Sequence, residues 1–269
     1  MRALPAQEVK FPMRMLVLPA AFTLAFLLYL PLPRAFDVLL LGVRRMHSLF
    51  LRLYKNQGEK LCAKCALACC VFIPAALLAL LGLIHPAVCA LTMAPLFGAL
   101  ALVPRAAGIK RELDGGSLSK DIAAYEALVR KTCRGFAPAF VTDACLPLML
   151  CAIGLPFGIG GALGWMALIL RTLAPESAAA KRILAPLERA AQAVLRALML
   201  LCSCLVGRSP FRTRGEALSE RLLSILAIDP DDPASHAPVS GDITQAAFLC
   251  CFCASFLCAL LTLVLFALG

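Results

Sequence analysis

The residues with the most chemistry to offer lie on one helical stripe. Lys181, Glu188, Gln192, Arg196 and Ser203 fall within roughly an 80° arc when successive residues turn by about 100°. The segment that carries them, 178–206, is otherwise mostly Ala, Leu and Val. Ionisable groups entering an apolar segment are costly and face a cavity or a partner. The stripe therefore predicts either a polar cavity for an anionic substrate or an internal pairing of Glu188 with Arg196 or Gln192 that only packs helices. Arg208, Arg212 and Arg214, around Ser209-Pro210, could hold a phosphate or anchor lipid headgroups. Asp229, Asp231 and Asp232 punctuate a proline-rich loop, as magnesium-binding carboxylates or as a solvated linker. His236, followed by Ala-Pro-Val-Ser240-Gly, places an imidazole and a hydroxyl just before the last apolar run, where both could touch a substrate. No Ser-His-Asp set and no paired catalytic carboxylates stand out.

The elements that must position these groups are membrane elements. Of 269 residues, 61% are hydrophobic and 16% charged, and the mean hydropathy is +0.87. Soluble domains carry fewer apolar and more charged residues, so a soluble globular enzyme is excluded. The net charge is +10, but the basic residues sit between apolar runs, as cytoplasmic loops beside anionic headgroups do. One Trp and three Tyr leave few rings for base stacking, and no nucleic-acid module is present. Most of the 14 Cys lie inside apolar runs, where Cys behaves as a small hydrophobe. Cys62 and Cys65 make one C-x-x-C, with no second pair at zinc spacing, so no metal site is expected.

A spanning helix needs about 20 mostly apolar residues. The pattern predicts a single all-α, polytopic membrane domain over 1–269, with about six spans near 15–32, 65–84, 87–104, 144–170, 190–206 and 246–268. Segments 35–60, 105–143 and 207–245 read as amphipathic or polar. In the first of these, Leu40, Val43, Met46 and Phe50 recur at helical spacing opposite Arg44, Arg45 and Arg52, as in a helix lying on a membrane surface. The run 65–104 has no charged residue, and His85-Pro86 at its middle predicts a helical hairpin with His85 in the turn. The run 144–170 carries Gly154, Gly158, Gly160, Gly161 and Gly164 without a phosphate-loop pattern, which predicts close helix packing or a broken, re-entrant helix. Loops 33–64, 105–143 and 207–245 hold 7, 7 and 4 Lys+Arg, which places them on the cytoplasmic side of a cell membrane.

Several segments follow one another in the order of a known family. These are Leu113-Asp-Gly-Gly-Ser-Leu118, Leu128-Val-Arg130-Lys-Thr132, Asp143-Ala-Cys-Leu-Pro-Leu148 with Gly154-Leu-Pro156, Arg171-Thr-Leu173, Ala185-Pro-Leu-Glu188 with Gln192, and His236-Ala-Pro-Val-Ser-Gly241. Over roughly 105–255 the chain resembles the CobD/CbiB-type membrane proteins of cobalamin biosynthesis, the adenosylcobinamide-phosphate synthases. That resemblance implies ATP-dependent amide formation between a corrinoid carboxylate and an amino-alcohol phosphate, with ATP and Mg2+ required. It implies catalytic positions at Glu188 and Gln192 and substrate contacts from Arg130, Arg171, Arg196, His236 and Ser240. Partners would be an anionic or corrinoid ligand, membrane lipid and other enzymes of corrinoid metabolism. The chain departs from the family where Lys131, Arg171, Ala174 and Arg189 replace its acidic or amide residues. Two expectations stand side by side: a ligase of this kind, and a non-catalytic relative that binds, scaffolds or regulates.

Overall fold

A computed structural model describes residues 16–27, 32–53, 59–94, 96–97, 102–115, 122–205, 217–233 and 235–268. The Arg208–Arg214 cluster, the turn at 116–119 and both ends of the first apolar run lie outside the described residues. All regular structure in them is helical. The helices are α1 (Val17–Leu27), α2 (Leu32–Leu53), α3 (Glu59–Ile84), α4 (Pro86–Met93), α5 (Leu102–Gly115) and α6 (Ile122–Phe140). They continue with α7 (Leu146–Gly154), α8 (Gly160–Leu173), α9 (Ala178–Leu205), α10 (Leu218–Leu226) and α11 (Ser240–Leu268). A π-helical turn, Val141–Cys145, joins α6 to α7. The chain forms two compact units, one of residues 1–98, 143–190 and 258–269, the other of 99–142 and 191–257.

Among the described residues three helices are long and apolar enough to cross a membrane: Ala63–Ile84, Ile122–Phe157 and Ser240–Ala267. Their outward faces are greasy. Phe72, Leu77, Leu80 and Ile84 on α3, and Phe248, Phe252 and Leu263 on α11, are all exposed. Exposed apolar faces of this extent suit lipid rather than water.

In the first unit α3 packs against α2, α4 and α8, and α8 packs against α7. The hairpin at 85–86 forms as its residues dictate. His85 is the N-cap of α4; its backbone is extended, its Nδ1 accepts the Ala87 N–H at 3.1 Å, and Pro86 occupies the first helical position. His85 is thus a turn residue.

The six-span pattern needs correction at two places. The run 87–104 is not one helix: α4 ends at Met93 and a tight turn of 3-10 geometry follows, with Pro95 and Gly98 in the sequence where a helix would have continued. The run 144–170 is not one helix either. A 3-10 turn, Leu155–Phe157, leads to Gly158 at φ 74°, a left-handed conformation that favours glycine, and α8 starts two residues later. The run at 190–206 lies in α9 as far as Leu205, position 206 lies outside the described residues, and Arg196 is the one charged residue in that run.

The clustered glycines close-pack this hairpin. A Cβ on Gly154 would stand 2.8 Å from the Gly160 Cα, and one on Gly164 would stand 2.6 Å from the Cys151 Sγ. Trp165 caps the arrangement by donating its indole N–H to the Thr92 carbonyl at 2.8 Å. Around it Met93, Leu96, Phe97, Leu148, Ile169 and Leu173 are fully buried.

Candidate functional site

The second unit assembles the best-formed site from parts over a hundred residues apart. α6 buries Val129, Cys133, Phe136 and Ala137, and α10 buries Leu222, Leu223, Ile225 and Leu226. These two stripes pack on each other. The loop that leaves α10 is then fixed by hydrogen bonds. Ala227 ends the helix at φ 58°, and Ile228 N–H returns to the Leu223 carbonyl at 3.0 Å. Arg130 donates from Nε to the Ile228 carbonyl at 3.2 Å and pairs with Glu126 at 3.5 Å, one turn earlier on α6.

The acidic part of the loop bonds to itself. Asp229 Oδ1 accepts the Asp231 N–H at 3.2 Å and the Asp229 carbonyl accepts the Asp232 N–H. Among the described residues no group of three or more His, Cys, Asp or Glu is arranged to hold a metal ion. The carboxylates of Glu126, Asp143, Asp229 and Asp242 are each committed to a protein donor.

His236 sits at the end of this loop. Its N–H donates to the Ala227 carbonyl at 2.8 Å, and its Nε2 lies 3.3 Å from both carboxylate oxygens of Asp242. Asp242 is 2% exposed and also accepts the Val239 N–H at 2.8 Å. It is the third residue of α11, so its carboxylate caps the helix that follows. Ser240 N–H, another unpaired donor of that first turn, donates to the Tyr125 hydroxyl at 2.8 Å. Beside these groups opens a cleft of about 400 Å³ lined by Leu113 and Asp114 of α5, Ile122, Tyr125 and Glu126 of α6, and Ala237 and Pro238 of the loop. Comparison with family models, with curated proteins and with solved structures finds no match to the chain.

The other expected site residues lie elsewhere. Arg171 and Glu188 belong to the first unit. Arg171 forms an ion pair with Asp143. Burial pulls its guanidinium below the ordinary value, and the Glu188 charge acts in the opposite direction. Gln192 and Arg196 belong to the second unit, half-buried on α9. The Arg196 Nε is shielded from solvent without a hydrogen-bond partner. Ser203 satisfies itself by donating to the Leu200 carbonyl at 2.7 Å, and Lys181 is exposed. Tyr125, Glu126 and Asp242 were not among the expected residues. An acidic residue three positions after the N-cap of the last helix was the signal for Asp242.

Proposed function

We propose that this chain is a divergent adenosylcobinamide-phosphate synthase-like protein of corrinoid metabolism. Its reaction is ATP-dependent joining of a corrinoid carboxylate to the amine of an amino-alcohol phosphate. One observation carries the reading: Leu113-Asp114 and Ala237-Pro238, from two of the segments that resemble the family's, line one cleft, and Arg130, from a third, donates to the Ile228 carbonyl in the loop that leads to His236. Arg171, Arg196, Gln192 and Glu188 then serve the anionic ends of the substrates or helix packing. No step is assigned to the magnesium ion that the resemblance implies.

In the membrane, the reading is a multi-pass protein with its basic loops on the cytoplasmic side. Both substrates are soluble metabolites or corrinoids, and a cleft fed from that side meets them.

A second reading is favoured by the Asp143–Arg171 ion pair. Asp143 stands in the run that resembles the family's Asp-Gly-x-x-x-Pro-Leu, and Arg171 stands where the family has Asn. Here the one occupies the other. A carboxylate held by a neighbouring guanidinium is less free for a metal or a proton, which suits a non-catalytic binding relative.

An amide-ligation assay separates the two. Purified protein in lipid receives a corrinoid acid, an amino-alcohol phosphate, ATP and magnesium beside an authentic synthase. Amide product establishes the ligase. Protein-bound corrinoid without product establishes the binding relative. Neither rejects the corrinoid reading.

A further inference from the structure

The second unit contains a histidine–carboxylate pair beside an acid-lined cleft, and no role in the resemblance depends on Asp242. We infer that the cleft takes the amino end of the substrate as its ammonium form, and that His236, held by Asp242, accepts the proton that frees the amine to react. The inference rests on the function proposed above for its reaction, but its binding part stands on the geometry alone.

The geometry has three parts. Among the described residues the charged lining residues of the cleft are Asp114 and Glu126, in a chain whose net charge is +10. An anion entering there meets carboxylates; an ammonium meets complementary charge, offset in part by Arg130 on Glu126. The Tyr125 hydroxyl accepts from Ser240 and keeps its own O–H to donate. Next, His236 immediately precedes the two loop residues that wall the cleft, and its side chain is 46% exposed, so a ligand can reach it. Finally, Asp242 is buried and anchored by the Val239 N–H. It can therefore hold an Nε2–H of His236 and leave Nδ1 as the free acceptor.

The step balances simply. The ammonium R–NH3+ gives one proton to His236 Nδ1 and becomes R–NH2, and the imidazolium so formed is stabilised by the Asp242 carboxylate. Asp242 is thus a positioning residue and His236 the proton acceptor.

The test uses the full chain in lipid and the probe O-phosphoethanolamine, with ethyl phosphate and inorganic phosphate as amine-free controls. The chain has 3 His, so carbethoxylation of His236 is followed by peptide mass spectrometry. O-phosphoethanolamine is expected to slow that modification at least about fivefold, with little effect from either control. Asp242→Asn keeps an acceptor for the Val239 N–H, so the fold is retained, while the loss of charge slows His236 modification severalfold. If ligation is observed, Asp242→Asn and His236→Gln are expected to lower kcat by roughly ten- to a thousandfold with KM within about twofold. Protection by the amine without any ligation rejects the proposed reaction and keeps the amine subsite. Ligation with unchanged kcat in both variants overturns the proton-acceptor role. Equal protection by ethyl phosphate, or no protection, overturns the amine subsite. A Tyr125→Phe variant controls for the loop: loss of protection there with normal unfolding supports the cleft as the place of binding.

Discussion

At the scale of single residues, two side chains show how local chemistry sets stability here. Ala227 holds φ 58° at the end of α10, a conformation that costs a residue with a Cβ about 1–2 kcal/mol. Glycine removes that cost and loses part of the gain to greater freedom in the unfolded chain. Ala227→Gly should therefore stabilise the second unit by about 0.5–1 kcal/mol in thermal unfolding. A fall in stability would show that the Ala227 methyl, which is buried, contributes more packing than its backbone costs. The Asp143–Arg171 pair gives the opposite kind of test. Both side chains are about a third exposed, so solvent screens their attraction. A double-mutant cycle with Asp143→Asn and Arg171→Gln should yield a coupling of about 1 kcal/mol or less. Neither residue's partner was legible in the sequence, because 28 positions and two helices separate them. The local signals were legible: His85 before Pro86 reads as a turn and forms one, since cap chemistry is written in adjacent residues. Asp242 lay between these cases, with its capping position readable and its contact with His236 dependent on the path of the loop.

At the scale of elements, hydropathy identified apolar runs correctly and mistook what some of them build. The runs 65–84 and 246–268 form long helices. Pro74 inside α3 removes one N–H from the backbone ladder without ending the helix. The run 144–170 has the right length and composition for one span, yet Gly158 turns it back on itself. Averaged hydropathy cannot see a single left-handed residue. The glycines that surround the turn are there for proximity, and this can be measured. A Cβ at Gly154 meets backbone, the Gly160 Cα at 2.8 Å, so the helices must part to admit it. Gly154→Ala should cost about 1–3 kcal/mol. Gly135 on α6 has nothing within 4 Å of its notional Cβ. Gly135→Ala should instead be neutral or stabilising by up to about 1 kcal/mol, as expected for a helix interior. Unfolding in one detergent compares the two directly, and equal effects would remove the packing argument for the hairpin. The basic helix α2 follows the sequence expectation in part. Arg44, Arg45 and Arg52 are exposed as anticipated, but Val38, Leu41, Leu49 and Leu53 are exposed among them. Its inner side carries His47, which is 3% exposed.

At the scale of the whole molecule, the turn at Gly158 changes how the chain can be threaded through a membrane. A single span over 144–170 places Asp143 and Arg171 on opposite faces, about 30 Å of hydrocarbon apart. An ion pair between them is incompatible with that arrangement. In the proposed membrane arrangement the chain enters along α7 and returns along α8, so that Arg171 lies on the same side as Asp143. In the multi-pass arrangement proposed above, with loops 33–64, 105–143 and 207–245 on the cytoplasmic side, the stretch 171–189 with its 4 Lys+Arg joins them where α9 does not cross. Arg196, the charged residue within 190–206, disfavours a traverse there. Of the 26 Lys+Arg, all but the 3 of the N-terminal tail would lie inside, a stronger positive-inside bias than six separate spans allow. The expectation is an accessible cytoplasmic tag at Glu176, which is exposed in the turn between α8 and α9. A short protease site or glycosylation acceptor inserted there, and a second one after Asp232, should both report the cytoplasmic side in sealed vesicles. The six-span arrangement predicts opposite sides for the two, because α9 would separate them. Glycosylation at the first site with protection of the second would restore the full crossing of 144–170 and displace the hairpin as the organising feature of the first unit.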